Sequence, residues 1–266
     1  MIEAAQAECR GLLAQFAREA GRSAAIHVQA GGTEFTEGAN EEIARPAASL
    51  LKVPLAMAAE EALQDGSLRS HNTVAVSDIL ARVDDPSALR VLSLDSRLPV
   101  PDVIGLTIAL SDQACAAWLL AAVGNERVRA LIERERLAIE AHCDPLAAGG
   151  PLTGTATASA ALRLIELADD RSRYPLLAAS LEQVVQASRI PLGATEEDLR
   201  LAHKTGSLSG VANDVAVIGC AAGSVRLAFL SEDQHDTLIT GYEMGICTRG
   251  VLEASGLVAQ TSVSLG

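Results

Sequence analysis

Hydrophobic residues recur at helical spacing through the start of the chain, which predicts an amphipathic helix over residues 3–20, ended by Gly21. The pattern then shortens to strand-like runs. "SAAIHVQA", residues 23–30, predicts a first strand, and "GGTEFTEGA", which follows it, predicts a glycine turn and a second strand. Two such runs joined by a short glycine turn are typical of a β-hairpin.

Helical periodicity dominates the middle of the sequence. The predicted helices cover residues 49–65, closed by Gly66, then 101–110, 112–122, 125–136, the stretch "TATASAALRLIELADD", and 175–188. Residues 67–100 are mixed and contain the turn "VDDPS". Residues 137–155, "LAIEAHCDPLAAGGPLTGT", contain Pro and Gly without a sustained period, so we expect a loop there.

Strand patterns return near the end, in "RLAHKTGSLSG", "DVAVIGCA" and "SVRLAFLS", and a last helix is predicted over about 236–254. If these strands pair with the early hairpin, they form one antiparallel five-stranded sheet flanked by the terminal helices. We therefore expect a single α+β domain over 1–266. Its α/β lobe covers approximately 1–48 and 190–266, its all-helical lobe covers approximately 49–189, and the site lies in the cleft between them.

Composition and charge narrow the range of partners. Of the 266 residues, 49% are hydrophobic, which is enough for a sizeable core. The 21 basic and 34 acidic residues give a formal net charge of −13. This balance argues against nucleic acid or an anionic membrane as a partner, because phosphate groups are bound by an excess of Lys and Arg. A small-molecule substrate is expected, and the oligomeric state stays open.

The five cysteines indicate neither a disulfide framework nor a metal site. They are odd in number and form no Cys-x-x-Cys pair, so we expect buried thiols, no metal and no cofactor. The N-terminus lacks the basic start and apolar segment of a signal peptide, and no run of eighteen uncharged apolar residues follows. We expect a cytoplasmic protein, unless a leader has been removed.

Two short stretches combine a serine with groups that could assist it. In "SLLK", the hydroxyl of Ser49 and the amine of Lys52 lie one helical turn apart, and a neutral lysine could take the serine proton. The alternative is a capping serine beside a solvated lysine. In "SDQ", Ser111 could pass a proton to a leaving group and Gln113 could bond a substrate, although a Ser-Asp pair also caps helices.

A third stretch, "HKTGSLSG", lies where a predicted strand breaks into a glycine turn. Lys204, Thr205 and Gly206 offer a cation, a hydroxyl and free backbone N–H groups, although a plain β-turn is the alternative. The three motifs stand in the order SxxK, SDQ, KTG, with 62 residues from Ser49 to Ser111 and 93 from Ser111 to Lys204.

This set resembles the active-site serine hydrolases that include class A β-lactamases and penicillin-binding proteins. "LLKVPLAMAAEEALQDGSL" resembles the nucleophile helix of that family, "IALSDQACAAWLLAAVG" its second-motif helix, and "AHKTGSLSGVANDVAVI" its KTG strand, turn and next strand. The resemblance covers about residues 10–255 and implies the β-lactamase/transpeptidase-like fold. The resemblance implies neither a zinc ion nor an organic cofactor.

The resemblance also implies a role for each motif residue. Ser49 is the expected nucleophile, Lys52 its general base, Ser111 the group that protonates the leaving atom, and Lys204 the cation that supports Ser111 and attracts a substrate carboxylate. The expected substrate-binding groups are Gln113, Thr205, Gly206 and Ser207. The backbone N–H groups of Ser49 and Ser207 would form the oxyanion hole.

Two positions depart from the family pattern. The second motif ends in Gln113 where the family has Asn, which leaves substrate choice open. Class A β-lactamases also carry a loop glutamate that activates the deacylating water, and here the loop reads "HCDPLAAGGPLTGT", without Glu or Asn. Glu166 lies in the following predicted helix, where we expect a surface residue. Asp144 is a candidate replacement base, although a turn-forming role before Pro145 explains it more simply.

These features predict a serine hydrolase, β-lactamase-like, that forms an acyl-enzyme on an amide, ester or β-lactam carbonyl. Three alternatives stay open. The protein could bind β-lactams or peptides covalently without efficient hydrolysis, it could transfer the acyl group to an amine or alcohol, or the fold could serve binding without catalysis. Intact SLLK, SDQ and KTG motifs argue against the last of these.

Overall fold

The structure is a computed structural model that describes residues 2–143 and 152–259. The strands in this part of the chain are β1 (Arg22–Ala30), β2 (Thr33–Ala39), β3 (Arg45–Pro46), β4 (Thr73–Ala75), β5 (Arg97–Pro99), β6 (Ile139–Cys143), β7 (Leu152–Ala156), β8 (Arg200–Leu208), β9 (Val211–Cys220) and β10 (Gly223–Ser231). The helices are α1 (Ile2–Phe16), α2 (Lys52–Gln64), α3 (Val76–Leu80), α4 (Val100–Ala109), α5 (Gln113–Val123), α6 (Asn125–Arg134), α7 (Ala158–Ala168), α8 (Pro175–Leu181) and α9 (Thr237–Ala254).

The predicted sheet is confirmed. Five of the described strands pair antiparallel in the order β2-β1-β10-β9-β8, so the early hairpin joins the three late strands through β1 and β10. Successive side chains of a strand point to opposite faces. Ile26, Ile218 and Leu227 accordingly pack with α1 and α9 on one face. Ala25 and Val217 belong to the core on the other face, which α7 covers.

The helix α2 runs through the middle of the second core. Ten of its residues are buried, because "KVPLAMAAEEALQ" has hardly any polar face and packs against α4, α5, α6, α7 and α8. Trp118, on α5, is half-buried at the edge of this core. The boundaries proposed between an α/β lobe and a helical lobe stay a prediction.

The prediction of a loop over residues 137–155 is wrong for the two segments that the structure describes, 137–143 and 152–155. β6 pairs antiparallel with β7 from Ile139↔Ala156 to Cys143↔Leu152, and β3 adds to the other edge of β7. Gly154 permits this pairing, since a Cβ there would lie 1.8 Å from the carbonyl oxygen of Glu140. The Pro and Gly residues between the two strands indicate a loop, so the pairing of β6 with β7 could not be predicted from the sequence. Asp144 and its neighbours up to residue 151 lie outside the described residues.

Two helix boundaries also differ from the expectation. The helix predicted over 175–188 ends at Leu181, because the backbone N–H of Val185 bonds to Ala109 and the side chain of Gln186 bonds to Thr205 instead. The helix expected from residue 49 begins as a 3₁₀ turn, Ala48–Leu51, that runs directly into α2.

The described cysteines are free thiols, as expected: Cys9, Cys115 and Cys247 are buried, and Cys220 is half-buried. Burial raises the pKa of Cys9 and Cys247 to about 12. In residues 2–143 and 152–259 no three His, Cys, Asp or Glu side chains are placed to hold a metal ion. No helix within those ranges has the length and apolar character needed to cross a membrane.

Candidate active site

The backbone turns sharply just before Ser49 and places it at the start of α2. Ala48 has a φ of 51°, in the left-handed region that a residue with a side chain rarely adopts. The amide side chain of Asn213, on β9, donates to the carbonyl oxygens of Pro46 at 2.8 Å and Ala47 at 3.3 Å. The turn is therefore tied to the sheet, and Ser49 is half-buried at the junction of sheet and helix.

The amine of Lys52 lies between two serine hydroxyls. Its Nζ is 3.2 Å from the Oγ of Ser49, 3.2 Å from the Oγ of Ser111 and 2.7 Å from the carbonyl oxygen of Ser111. The residue is only 2% exposed. Burial lowers the pKa of Lys52 to about 8, although the carboxylates of Asp112 and Asp85 act in the opposite direction. A neutral amine is thus accessible near physiological pH.

Ser111 reaches Lys52 because Asp112 fixes the loop that carries it. The carboxylate of Asp112 caps α5 by accepting the N–H of Cys115 at 3.0 Å, and it also accepts the N–H of Ala88 at 3.0 Å and the hydroxyl of Ser87 at 2.7 Å. Ser111 itself has a φ of 55°, a strained conformation that the surrounding bonds hold in place. The capping and catalytic interpretations of "SDQ" are therefore compatible.

Lys204 approaches the same hydroxyl from β8. Its Nζ lies 3.1 Å from the Oγ of Ser111 and 2.8 Å from the carbonyl oxygen of Thr205, and the side chain is fully buried. Burial, followed by the charge of Lys52, lowers the pKa of Lys204 to about 7, while Asp214 partly offsets the effect. Two amines with depressed pKa values therefore meet at one serine hydroxyl, as expected of groups that move protons.

These two are also the only lysines in the sequence. All other basic side chains among its 21 Lys and Arg residues are arginines. A solvated lysine beside a capping serine was the alternative for "SLLK", and a 2% exposed Lys52 in contact with Ser49 and Ser111 excludes it.

Sequence reasoning missed Arg189, which lies in "QASRIPLG" between α8 and β8. It is 5% exposed, and its guanidinium donates to the Oγ of Ser207 at 2.6 Å, to the carbonyl oxygen of Gly206 at 2.9 Å and to that of Asn213. No residue pattern singles out an isolated arginine in a connecting segment. Gln186 was missed for the same reason, and its amide oxygen accepts from Thr205 at 3.0 Å.

Asp214 holds the arginine segment against the sheet. This fully buried carboxylate accepts the N–H of Ile190 at 3.1 Å and pairs with the Nδ1 of His203 at 3.1 Å. Asn213 and Asp214 interrupt the apolar strand "VANDVAVIGC", a signal that could have identified both residues from the sequence.

The cleft at these residues is small, about 90 Å³. Its lining combines motif residues with the start of β7 and comprises Ala48, Ser49, Lys52, Gln113, Leu152, Thr153, Gly154, Ser207 and Leu208. The structure therefore brings together Ser49, Lys52, Ser111 and Lys204, and sets Gln113 and Ser207 at the cleft.

Glu166, which was expected to be a surface residue, lies away from this cleft. It lies on α7 and is half-buried. Burial acts to raise its pKa, but the pairing of its carboxylate with Arg163 and Arg226 outweighs this and lowers the pKa. It lines a separate cavity between α7 and the early hairpin, so it has no place at Ser49. Asp144 lies outside the described residues, and its base role stays a hypothesis.

Comparison with known proteins connects this geometry to a family. The model of the beta-lactamase enzyme family matches residues 6–242. A beta-lactamase from Sphaerobacter thermophilus superposes with a TM-score of 0.83 at 25% identity, over 96% of this chain and 98% of that one. A point mutant of PBP-A, solved as an acyl-enzyme complex with penicillin G, gives 0.79 at 16% identity, over 95% and 97%.

The class A beta-lactamase of the last common ancestor of Gram-negative bacteria superposes with a TM-score of 0.77 at 20% identity, over 93% of this chain and 99% of that one. Among curated proteins no sequence matches the chain significantly. Taken with the sheet order and the helices described above, these superpositions confirm the expected β-lactamase/transpeptidase-like fold.

Proposed function

Because the chain belongs to the beta-lactamase enzyme family, we propose that it is a serine hydrolase in which Ser49 forms an acyl-enzyme with a small carboxylate-bearing amide, ester or β-lactam. The observation that carries this proposal is the position of the Lys52 amine, 3.2 Å from the hydroxyls of both Ser49 and Ser111. One amine in that position can receive the proton of the nucleophile and return it through the second serine.

Acylation would proceed in two steps. The Oγ of Ser49 attacks the carbonyl carbon while its proton passes to the neutral amine of Lys52, and the backbone N–H groups of Ser49 and Ser207 stabilise the oxyanion. The bond to the leaving nitrogen or oxygen then breaks, and Ser111 donates its proton to that atom. Lys52 and Lys204, both within 3.2 Å of the Oγ of Ser111, return a proton to it.

The substrate carboxylate would bind at Ser207, which lines the cleft and contacts the buried guanidinium of Arg189, while Lys204 on the same strand would add positive charge behind it. Since Arg189 donates to the Oγ of Ser207, the serine hydroxyl keeps its own proton free to donate to an anion. Thr205 lies next along β8, but its hydroxyl is directed to Gln186. We therefore expect Ser207 rather than Thr205 to make the stronger bond to the carboxylate.

Deacylation is the step on which the sequence departs from class A β-lactamases. The loop before α7 contains no glutamate, so we propose that a β-lactam acylates Ser49 and leaves slowly, while a less hindered ester turns over with Lys52 as base. PBP-A, which shares the fold, is known as a penicillin G acyl-enzyme in a mutant form. The second candidate function is covalent binding without turnover, or acyl transfer. The absence of the loop glutamate favours this function as well.

Intact-mass spectrometry after addition of a penicillin tests the proposal. We expect an adduct on the wild type that persists for hours, and none on Ser49→Ala. Rapid loss of the adduct with release of hydrolysed penicillin would show an efficient β-lactamase and overturn the slow-deacylation proposal. Turnover of small ester reporters separates a hydrolase from a covalent binder, and the absence of both adduct and ester turnover would exclude a working nucleophile.

The rate of acylation should depend on pH through the lysines. Only the neutral amine of Lys52 accepts a proton, so with its pKa lowered to about 8 the rate should rise about tenfold per pH unit below pH 8 and level off above it. An uncharged ester followed by stopped-flow from about pH 5.5 to about pH 9 isolates this effect. A rate that stays constant across that range would contradict a base role for Lys52.

The carboxylate site predicts a substrate-dependent effect of Ser207→Ala. Removing this hydroxyl deletes one charge-assisted hydrogen bond, so KM for a carboxylate-bearing substrate should rise about tenfold, while KM for an uncharged ester stays within about twofold. Because the variant also removes the hydroxyl that accepts from the buried guanidinium of Arg189, its thermal unfolding is measured alongside, and we expect a moderate loss of stability in a folded protein. Equal losses for both substrates would show that Ser207 acts on the reacting carbonyl alone.

A further inference from the structure

A groove at the edge of the core around α2 is lined by Trp118, the only tryptophan of the sequence. This side chain lies half-buried on α5, and two adjoining cavities share it together with Asp78. The larger cavity measures about 590 Å³ and the smaller about 430 Å³. We call the two cavities together the Trp118 groove. Its other polar lining residues are His71, Asn72, Thr73, Arg82 and Arg97.

The groove is separate from the cleft at Ser49, although α5 contributes to both. Gln113, at the start of α5, lines the cleft, and Trp118 follows it by five residues. Five residues of α-helix correspond to about 7.5 Å along the axis and about 140° around it, so the two side chains leave the helix in different directions. The two cavities of the groove share no lining residue with the cleft.

The charged side chains of the groove are not neutralised by ion pairs. Most arginines of this acidic chain pair with a carboxylate, as Arg10, Arg127 and Arg249 do. Asp78 and Arg82 line the same cavity at i,i+4 spacing, which commonly pairs opposite charges on a helix. Within residues 2–143 and 152–259, however, neither of them forms an ion pair or a side-chain hydrogen bond. Both are exposed, so both are available to a ligand.

Arg97 is held in place without losing its charge. Its Nε donates to the Oγ1 of Thr73 at 2.8 Å, and its Nη2 donates to the carbonyl oxygen of Thr73 at 2.6 Å. The antiparallel pairing of β4 with β5 sets Thr73 opposite Pro99 and Arg97 opposite Ala75, which keeps the two residues close. Both acceptors are uncharged, and the Nη1 makes no bond to the part of the chain that the structure describes. The guanidinium is therefore an oriented, planar donor.

The groove offers hydrogen-bond donors and acceptors side by side. The two arginines and the indole N–H of Trp118 donate, the carboxylate of Asp78 accepts, and the amide of Asn72 does both. Among the described residues, the side chains of His71, Asn72 and Trp118 find no hydrogen-bond partner, so these groups are also available. Two guanidinium groups and one carboxylate leave only a small positive charge.

This combination favours a neutral ligand that carries many hydroxyl groups. A hydroxyl donates one hydrogen bond and accepts up to two, so it suits a surface that presents both roles. The C–H face of a sugar ring packs against the negatively charged face of an indole. A phosphate group would meet the carboxylate of Asp78. A quaternary ammonium group would meet two guanidinium groups, and it would find neither Phe nor Tyr in the lining to complete an aromatic cage.

We propose that the Trp118 groove binds a neutral saccharide, with one sugar ring packed against the indole and its hydroxyls bonded to Asp78, Asn72 and Arg97. A carboxylate and a guanidinium can each bond two neighbouring hydroxyls at once. The larger cavity, at about 590 Å³, lies within the usual range of small-molecule sites, and the smaller cavity gives room for a further ring. Because water already bonds these exposed groups, we expect a dissociation constant of about 1 mM.

Tryptophan fluorescence of the full chain tests the proposal, because Trp118 is the only tryptophan and reports on the groove directly. The wild type is titrated with three neutral trisaccharides, namely cellotriose, maltotriose and triacetylchitotriose. For at least one of them we expect the emission to move to shorter wavelength with half-saturation near about 1 mM. Quenching by acrylamide should fall at least about twofold at saturation, because the sugar ring covers the indole.

Two variants identify the residues that bind. Asp78→Ala keeps the fluorescent reporter and should raise the dissociation constant at least about tenfold, because it removes a charge-assisted hydrogen bond. Asp198→Ala is its matched control, since Asp198 is also exposed but lies outside the groove, and it should bind as the wild type does.

Trp118→Leu keeps an apolar side chain against the core but removes the ring. Isothermal calorimetry should show a dissociation constant raised at least about tenfold, whereas Tyr242→Leu, at an aromatic residue that is 61% exposed on α9, should leave it unchanged. Thermal unfolding establishes that all four variants are folded.

Three results would overturn the proposal. The first is the absence of any response to the three trisaccharides at about 50 mM. The second is tighter binding of adenosine diphosphate or choline than of any trisaccharide, which would assign the groove to a charged ligand. The third is an affinity that stays the same in Asp78→Ala and Trp118→Leu, which would place the saccharide elsewhere on the protein.

Discussion

Lys52→Met should lower the rate of Ser49 acylation by about 10³-fold and leave the protein at least as stable as the wild type. Methionine keeps the length of the side chain but cannot accept a proton from Ser49. Burial lowers the pKa of Lys52 from 10.5 to about 8, which means that holding the charged amine in the folded protein costs about 3 kcal/mol at pH 7. Methionine removes that cost but also removes the contacts with the two serines.

Two quantities are measured for each variant. Intact-mass spectrometry follows the time course of the penicillin adduct, and thermal unfolding gives the unfolding temperature. Lys204→Met is the matched control, because it removes the other buried amine near Ser111. Its main effect should be weaker binding of carboxylate-bearing substrates, with a smaller loss for uncharged esters. Should Lys52→Met acylate at the wild-type rate, Lys204 or a water would have to be the base.

Asn213→Leu should lower the free energy of unfolding by about 3–5 kcal/mol, the largest stability effect we expect from a single substitution near the site. Asn213 is fully buried and makes three bonds between separate parts of the chain. Its amide donates to Pro46 and Ala47, and its Oδ1 accepts the N–H of Ser231 at 2.8 Å. Leucine has a similar volume but removes the bonds to the carbonyl of Pro46 and the N–H of Ser231, while the carbonyl of Ala47 keeps only its bond from the N–H of Leu50.

Urea unfolding followed by circular dichroism measures this loss. A surface asparagine provides the control: Asn72→Leu, on an exposed loop position, should change the free energy by less than about 0.5 kcal/mol. Acylation by a penicillin should also slow in Asn213→Leu, because the turn that presents Ser49 loses its attachment to β9. A loss below about 1 kcal/mol would mean that buried water replaces the amide.

The residues that perform the proposed chemistry could be predicted from the sequence alone. Ser49, Lys52, Ser111 and Lys204 were predicted from three motifs. They meet in the structure because the first two motifs stand at helix starts and the third lies within β8, which packs against the turn that carries Ser49. The sheet was predictable for a related reason. Strands of regular alternation at both ends of the chain, separated by helices, have few ways to pair other than in one antiparallel sheet.

The residues that support the site were harder to predict. Arg189 and Gln186 act through contacts with Ser207 and Thr205 that are 18 and 19 residues distant in sequence, and no local period marks them. Asp112 looked like a simple cap, and only the fold shows that it also holds the loop at Ser87 and Ala88. The pairing of β6 with β7 was missed because it depends on how closely Gly154 approaches Glu140.

The sequence contains only two lysines, Lys52 and Lys204, and this has a practical consequence for chemical labelling. Reagents that couple to primary amines, such as succinimidyl esters and aldehydes, find no lysine on the surface of this protein, because Lys52 and Lys204 are 2% and 0% exposed. Random amine coupling to a chip or a dye would therefore proceed through the α-amino group, or through the cleft itself. The low pKa values of the two lysines make them reactive as soon as a small reagent enters. Protection of these amines by a bound ligand would thus report occupancy of the cleft on the unmodified protein, without a chromogenic substrate.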